Sequence, residues 1–405
     1  MTSSSIWPGP ATRDNALRQL SEFLPQAGSD YAALRGYDLK DHPHVSRLSP
    51  FLRHRILTED EVLRTVLRSY DRDTAQKFVD EVLWRTYWKG WLEMRPGVWR
   101  DYRLGVQAAL NRIQTESGLR SEWEAACSGR TEIECFNIWA RQLTHDGYLH
   151  NHARMWFASI WIFTLRLPWE LGADFFLRHL YDGDPASNTL SWRWVAGLQT
   201  RGKAYIAEAW NIEKFTKGRV PRPEDLAANP APLDGPPSPD PSSLDLALEW
   251  DMHCPTGLLI TEEDLSPSDI FPETDRLQAI AHYHATQDRS PLAVSPHVVS
   301  FVSDAIEACC ASLPGQATHC PTPDEVVTWA IAHDLKQIVT AYPPVGPTAD
   351  ALAALEPRLE DAGIALARIA RPYDADAWPR ARAGYFKFRK TSGSFLERLA
   401  QDAAA

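Results

Sequence analysis

In the stretch DEVLWRTYWKGW, Glu81, Trp84 and Arg85 stand at i, i+3 and i+4 and share one helix face. A carboxylate, a flat ring and a guanidinium side by side suit recognition of a base with its phosphate; the same spacing also describes an amphipathic helix with a surface Glu–Arg pair. In LTHDGYLHNHARMW, His150, Asn151, Arg154 and Met155 follow a glycine break and open an otherwise apolar helix, a place for a ligand rather than a core, although a lone histidine there also serves as a cap. In LYDGDPASNTLSWRWVAG, Asp182 and Asp184 flank Gly183, Asn188 follows, and Trp192 and Trp194 come next. Such acidic turns cap helices or recognise a ribose or a ring nitrogen. In HVSRLSPFLRHRILTEDEV, Ser49–Pro50 reads as an N-cap with proline at the first helical position, and Thr58 with Glu61 as a capping box. The hydroxyls of Ser46 and Ser49, close to that helix start and to Arg47, could hold an anionic phosphate.

The elements that must position these groups are helical. Ile133, Phe136, Trp139 and Leu143 repeat at helical spacing, break at Gly147, and a second helical run starts at His150. Twelve of the 16 tryptophans fall between Trp84 and Trp210, a density that fits an aromatic core, a stacking platform for bases or redox-active indoles beside a cofactor. Eight prolines between Pro221 and Pro241, without apolar periodicity, predict an extended, semi-rigid linker. Beyond it, short β-like runs at 257–261, 335–342 and 364–370 alternate with helical runs at 298–310, 323–333 and 349–362, which predicts a layered α/β unit. No GxGxxG or Walker A pattern occurs there.

The 405 residues allow two or three domains, with 44% hydrophobic and 23% charged residues as in globular chains. The net charge of −11 divides unevenly: residues 1–220 hold 29 Lys+Arg against 26 Asp+Glu, residues 221–405 hold 13 against 27. A near-neutral first half can still carry a basic groove, because local charge neutralises phosphates. The six cysteines fit reduced thiols, and none of their spacings predicts a metal site. Arg154 and Arg166 bound the longest apolar run, so no membrane association is expected; the opening residues lack a signal-peptide pattern, and a cytoplasmic location follows as the expectation.

Taken together these residues resemble the FAD-binding domain of the DNA photolyase/cryptochrome family: Tyr31 with Arg35, then SRLSP, EVLWR, GYLHNHARM and DGDPASNTLSWRW occur in that family's order and at about its spacings over roughly residues 10–215. The resemblance implies FAD as cofactor. Tyr31, Ser46, Arg47, Leu48 and Ser49 would hold its phosphates and backbone-facing edge, Arg85 would add a further contact, and Asp182, Gly183 and Asp184 would lie beside the flavin and its ribitol or ribose. Asn188 would face the flavin N5 position, and Arg154 would pair with Asp182. Glu81, Trp84, Asn151, Met155 and Trp194 match the lining of a pocket for a pyrimidine dimer, Arg35 and His152 would face DNA, and Trp192 and Trp169 match the first two members of a photoreduction chain. Trp99 or Trp91 is the candidate for the outer member.

The sequence departs from the family at Val45 for threonine, Arg55 for glycine, Thr86 for an acid and His152 for arginine. The implied fold class is multidomain: an all-α FAD-binding domain of photolyase type (1–220), a Pro-rich linker (221–245) and a smaller α/β layered domain (246–405). GYFKFRKTSGSFL near residue 390 is similar to the phrase that ends the family's antenna domain, so the last unit reads as a displaced antenna-like domain, its pigment unspecified, or as a cap that docks a protein partner. The expected activity is blue-light-driven, FAD-dependent repair of pyrimidine dimers in DNA by a lyase; the alternatives are a cryptochrome-like photoreceptor signalling through a partner and a light-independent flavin-binding protein. A basic rim around the Trp84–Met155–Trp194 hole supports repair, an acidic or plugged hole signalling.

Overall fold

The computed structural model describes residues 7–272 and 276–402. The first half is helical: α1 (Arg13–Phe23), α2 (Ser29–Leu34), α3 (Ser49–Arg53), α4 (Glu59–Ser69), α5 (Arg72–Glu93), α6 (Gly97–Thr115), α7 (Ser117–Cys127), α8 (Glu134–Asp146), α9 (Asn151–Ser159), α10 (Trp169–His179), α11 (Pro185–Val195) and α12 (Ala209–Thr216). After an irregular segment follow β1 (Thr256–Ile260), β2 (Ala279–His282), α13 (Pro296–Ala311), β3 (Ala317–His319), α14 (Pro323–Ala332), β4 (Gln337–Ala341), α15 (Pro347–Asp361), β5 (Ala365–Ile369), α16 (Pro372–Ala377), α17 (Tyr385–Thr391) and α18 (Gly393–Asp402).

Local chemistry fixes the helix ends that matter for the site. Thr58 and Glu61 close a reciprocal capping box at the start of α4. The Asp71 carboxylate accepts the Thr74 amide at the start of α5. Gly147 ends α8 in the left-handed region, at φ 63°, which a side chain rarely adopts. With 13 of its 22 residues buried, α5 is the central rod of the first half. Helix α9 ends in a π turn over Ile160–Thr164.

The five strands form one parallel sheet in the order β3-β2-β1-β4-β5, with Leu258 opposite both Ile280 and Val339. β1 and β4 are wholly buried, as strands covered on both faces must be. Side chains alternate between two cores: Leu258, Ile260, Ile280 and Val339 join the core shared with the helical half, while Leu259, Ala281 and Ile338 pack with Trp329, Leu352 and Leu355 of α14 and α15. The strand order reverses between β1 and β4, and in open parallel sheets the crevice at the carboxyl ends there is where ligands bind. Here the protein fills it. Arg53, at the end of α3, forks onto Glu263 just past β1 at 2.6 and 2.7 Å; Glu93 of α5 accepts the Tyr342 hydroxyl at 3.0 Å and the Val345 amide, both just past β4.

The expected fold class, an all-α FAD-binding domain followed by a smaller α/β layered domain, is therefore corrected. The chain has a helical first half and then a parallel five-strand α/β unit over 256–400. That unit is not a separate layer after a finished domain: one apolar core runs from Ala11 to Leu399, and α16, α17 and α18 turn back onto the helical half. The physical reason is that α5 is buried on more sides than the first half covers, so α16 and α17 pack onto it. Gly90 of α5 lies so close to Trp378 that an added Cβ would stand 2.7 Å from its Cα. The Pro-rich segment has no helix and lies against the first half, with the Leu233 amide on the Ala196 carbonyl and the Ser242 amide on that of Met94, both at 2.9 Å. Among the described residues no helix is long and apolar enough to cross a membrane.

Candidate functional site

The cavity that gathers the chemistry-bearing groups has a volume of about 540 Å³ and opens to solvent between α5, α9 and α11. Its size lies in the range of small-molecule sites. Glu81, Trp84, Arg85 and Trp88 line it as one stripe of α5. Across from them stands the first turn of α9, with Asn151, Arg154 and Met155 at i, i+3 and i+4. The N-cap of that helix is His150, whose Nδ1 accepts the His152 amide at 3.2 Å. Burial pushes this imidazole down to about 3, so it stays neutral and able to accept.

The third wall is the turn from α10 into α11. Asp184 caps α11 through the Ser187 amide at 2.8 Å. Gly183 is required between the two acids, because an added Cβ would stand 2.8 Å from the Leu177 carbonyl oxygen. Arg154 donates through Nη2 to Asp182 Oδ2 at 2.9 Å and through Nε to the Leu149 carbonyl. Burial opposes ionisation of Asp184, but Lys89, at 3.7 Å, together with Arg85 and Arg53 outweighs it and holds this carboxyl well below the usual carboxylate range. Asn188 and Trp192 face the cavity from α11, and the Asn188 amide nitrogen is spent on the Ala173 carbonyl at 2.8 Å.

Two buried polar atoms of residues on this cavity lack a partner, Arg85 Nη2 and Asp182 Oδ1, while Arg85 Nε stands 3.5 Å from Glu59 Oε1 without a hydrogen bond. An unpaired donor or acceptor out of water costs about 1–3 kcal/mol, more when charged, so a ligand that supplies the missing partners is expected. Donors on one wall, carboxylates on another and indole faces between them fit a flat, polar-edged ring system, and these residues fit FAD.

The expected residues divide. Glu81, Asn151, Met155, Trp192, Arg85, Arg154, Asp182, Gly183, Asp184, Asn188, Arg35, Trp84 and Trp194 all line the one cavity. Tyr31, Ser46, Arg47, Leu48 and Ser49 do not. Tyr31 is buried against Phe23 and Phe78, with ring centroids 5.7 and 5.3 Å away. Leu48 is fully buried, Ser46 Oγ accepts the Leu48 amide at 3.4 Å, and the Arg47 guanidinium lies over the Trp7 ring at 5.2 Å. His152 stacks on Trp156 at 4.1 Å and meets the Gly36 carbonyl at 3.0 Å; burial lowers its pKa, so it is no standing cation. Trp169 lies off the cavity, 5.7 Å from Tyr102, whose ring is 5.3 Å from that of Trp99.

Two contacts were not foreseen. Glu81 is ion-paired to Arg35 at the end of α2. One face of Trp84 is covered by Tyr385 of α17, centroids 3.6 Å apart and planes within 9°. Phe386 also lines the cavity, as do Ser187 and Ser191. The two serines follow Asp184 and Asn188 by three residues each, so helical spacing alone would have found them.

Residues 78–219 match the family described as the FAD binding domain of DNA photolyase. That span starts inside α5, so the family's domain takes up only part of the helical half. The chain is similar to the deoxyribodipyrimidine photo-lyase of Streptomyces griseus, 34% identical over 41% of this chain and 35% of the relative. It is also similar to the cryptochrome DASH of Idiomarina loihiensis, 27% identical over 54% of this chain and 48% of that one. Among solved structures, a bacterial class III photolyase from Agrobacterium tumefaciens shares 28% identity over 52% of this chain and 44% of its own, with a TM-score of 0.44. The chain thus spans less than half the length of these relatives.

Proposed function

From a chain that belongs to the photolyase/cryptochrome family and carries its FAD-binding domain at 78–219, we propose a blue-light-driven, FAD-dependent repair enzyme acting on pyrimidine dimers in DNA. The observation that carries this reading is the shared cavity: Arg85, Arg154, Asp182, Asp184 and Asn188, suited to a flavin, and Glu81, Trp84, Asn151, Met155 and Trp194, suited to a dimer, line one space.

FAD, when bound and reduced, supplies the light-activated electron that splits the dimer. The chain's own residues bind, orient and exclude water. Arg85 would donate to the cofactor with its unpaired Nη2, its Nε being turned to Glu59, and Asp182 would accept with its free Oδ1 while Arg154 fixes its other oxygen. Asp184 stays ionised beside Lys89, compensates its charge and caps α11, which holds the turn in shape. Glu81 accepts a hydrogen bond from a pyrimidine N–H, with Arg35 holding the carboxylate in place. Trp194 and the open side of Trp84 offer flat surfaces for an extruded pair, Asn151 offers an amide to its polar edge, and Met155 and Trp192 close apolar walls that keep water from the cleft. Extrusion costs a few kcal/mol and least for a damaged base, which favours the lesion over intact DNA. The run Trp169, Tyr102, Trp99, with successive ring centroids 5.7 and 5.3 Å apart, supports a route by which electrons pass between buried aromatic rings.

A second reading is favoured by a specific observation. Tyr385 belongs to the α/β unit and covers one face of Trp84, so a photochemical change at the cavity could pass to that unit and to a protein partner, as a photoreceptor requires.

The test is repair of a defined cyclobutane dimer in an oligonucleotide by the purified, chemically reduced protein, in blue light and in darkness, after its bound flavin has been measured by absorbance. Light-dependent restoration of intact bases is the expected result. Bound flavin without any repair would refute the lyase reading and favour the photoreceptor.

A further inference from the structure

Residues 221–405 are acidic as a whole, with 13 Lys+Arg against 27 Asp+Glu, yet one stretch inverts the balance. Residues 380–390 read RARAGYFKFRK, with five cations and no acid. That stretch carries α17, the helix whose Tyr385 lies on Trp84 and whose Phe386 lines the mouth of the cavity.

The helix is firmly clamped. The Tyr385 hydroxyl donates to the Asp80 carbonyl and to its carboxylate, both at 3.0 Å; Arg389 pairs with the same carboxylate at 2.9 Å; and Tyr87 donates to the Ala383 carbonyl at 2.9 Å. With Tyr385 and Phe388 buried, the opposite side presents Phe386, Lys387 and Lys390, next to the exposed Arg382. Phe386 is 79% exposed, the most open of the large hydrophobic side chains among the described residues. Neither Lys387 nor Lys390 has a carboxylate partner among the described residues, although two-thirds of the charged groups in this half are acids. A rigid aromatic ring left in water between unpaired cations, at the rim of a base-sized cavity, is the composition of a single-strand stacking platform: ring for base, ammonium for phosphate.

We propose that α17 is a nucleic-acid contact of the α/β unit: Phe386 stacks on a base next to the extruded pair, and Lys387, Lys390 and Arg382 neutralise the phosphates that flank it. This rests on the repair reading and deepens it. It also explains how an acidic half can sit beside a DNA site: its acids lie elsewhere, and the part at the rim is basic. Because Tyr385 occupies one face of Trp84, Phe386 supplies a stacking surface displaced toward solvent.

The test is fluorescence anisotropy with a labelled oligonucleotide containing one thymine cyclobutane dimer, using the flavin-loaded full chain in darkness across ~50 to ~200 mM salt. Phe386→Ala should weaken binding about five- to hundred-fold, the size of one lost base stack, while Phe386→Trp restores it. Lys387→Ala combined with Lys390→Ala should lower the slope of log affinity against log salt by ~1.4–1.8, two phosphate contacts' worth. All three variants should keep the wild-type flavin spectrum, since the changed side chains point away from the buried clamp. Wild-type affinity in Phe386→Ala together with an unchanged salt slope in the double variant would overturn the inference and leave the repair reading standing. A wild-type protein that binds no dimer oligonucleotide at all would instead overturn both.

Discussion

Replacing Arg53 by methionine tests the junction between the two halves. Arg53 is 1% exposed and spends its guanidinium on the Glu263 carboxylate, at 2.6 and 2.7 Å, and on the Gly183 carbonyl, at 2.9 Å. Removing one member of a buried pair costs about 3–5 kcal/mol because the other charge stays behind, and the lost bond to Gly183 adds about 1 kcal/mol. Against a total stability of roughly 5–15 kcal/mol this is a large share. The pH dependence identifies the cause. In the wild type burial opposes ionisation of Glu263, but Arg53 and, to a smaller degree, Lys89 outweigh it and hold its pKa below 4.5. Its ionised form therefore stabilises the fold above that value, and this contribution fades as pH falls through the lowered pKa. Without Arg53, burial dominates and raises the pKa, so the sign reverses: the carboxylate costs stability as pH climbs. The deficit of Arg53→Met should already be present near about pH 5, where the wild-type pair and the Gly183 bond are lost, and should grow toward about pH 8 as the unpaired Glu263 is forced to ionise. Urea midpoints by circular dichroism at both pH values would measure it, with Arg53→Leu/Glu263→Leu as the companion. That double variant should lie closer to the wild type than either single change, because no charge is left unpaired. A deficit below about 1 kcal/mol, or one independent of pH, would refute the reasoning.

Two further outcomes follow from other contacts. Burial pushes Glu93 up to about 7, against the pull of the Val345 amide, the Tyr342 hydroxyl and Lys89. A raised acid contributes stability that is lost as pH rises through its folded pKa, so Glu93→Gln should flatten the decline in stability from about pH 5 to about pH 8; parallel curves for variant and wild type would contradict this. Gly172→Ala drives a methyl group into the Trp192 ring and to 2.9 Å from Trp161, so overpacking should cost about 1–3 kcal/mol in a urea melt; a change within error would mean that these rings yield freely.

The site was legible where its residues are close in sequence. Helical spacing put Glu81, Trp84 and Arg85 on one stripe, and the Gly147 break put Asn151, Arg154 and Met155 on a first turn; both stripes face the cavity. What local pattern cannot show is which stripes meet. Tyr385 reaches Trp84 from the far end of the chain, and no periodicity links the two. Arg53 and Arg55 read as surface residues by hydropathy. They are buried because Glu263, Asp264 and Asp374 come to them from the other half. SRLSP, by contrast, pointed to a phosphate contact, while Leu48 is drawn into the core and the neighbouring hydroxyl is used within its own turn. In the α/β unit, β1, β4 and β5 were visible as apolar runs, whereas β2 and β3, four and three residues long, are too short to show a pattern.

The clamp of α17 on α5 also has a bearing on synthesis. Tyr385 meets Asp80 across 305 residues of chain. At ~5–20 residues per second, the flank of α5 that it covers leaves the ribosome roughly 15–60 s before its cover exists. During that interval the helical half shows an aromatic strip bearing Trp84, Tyr87 and Trp88 to the cell, and a growing chain in that condition invites chaperones and self-association. Early FAD capture by the nascent helical half would shorten the exposed life of the cavity walls but not of that strip.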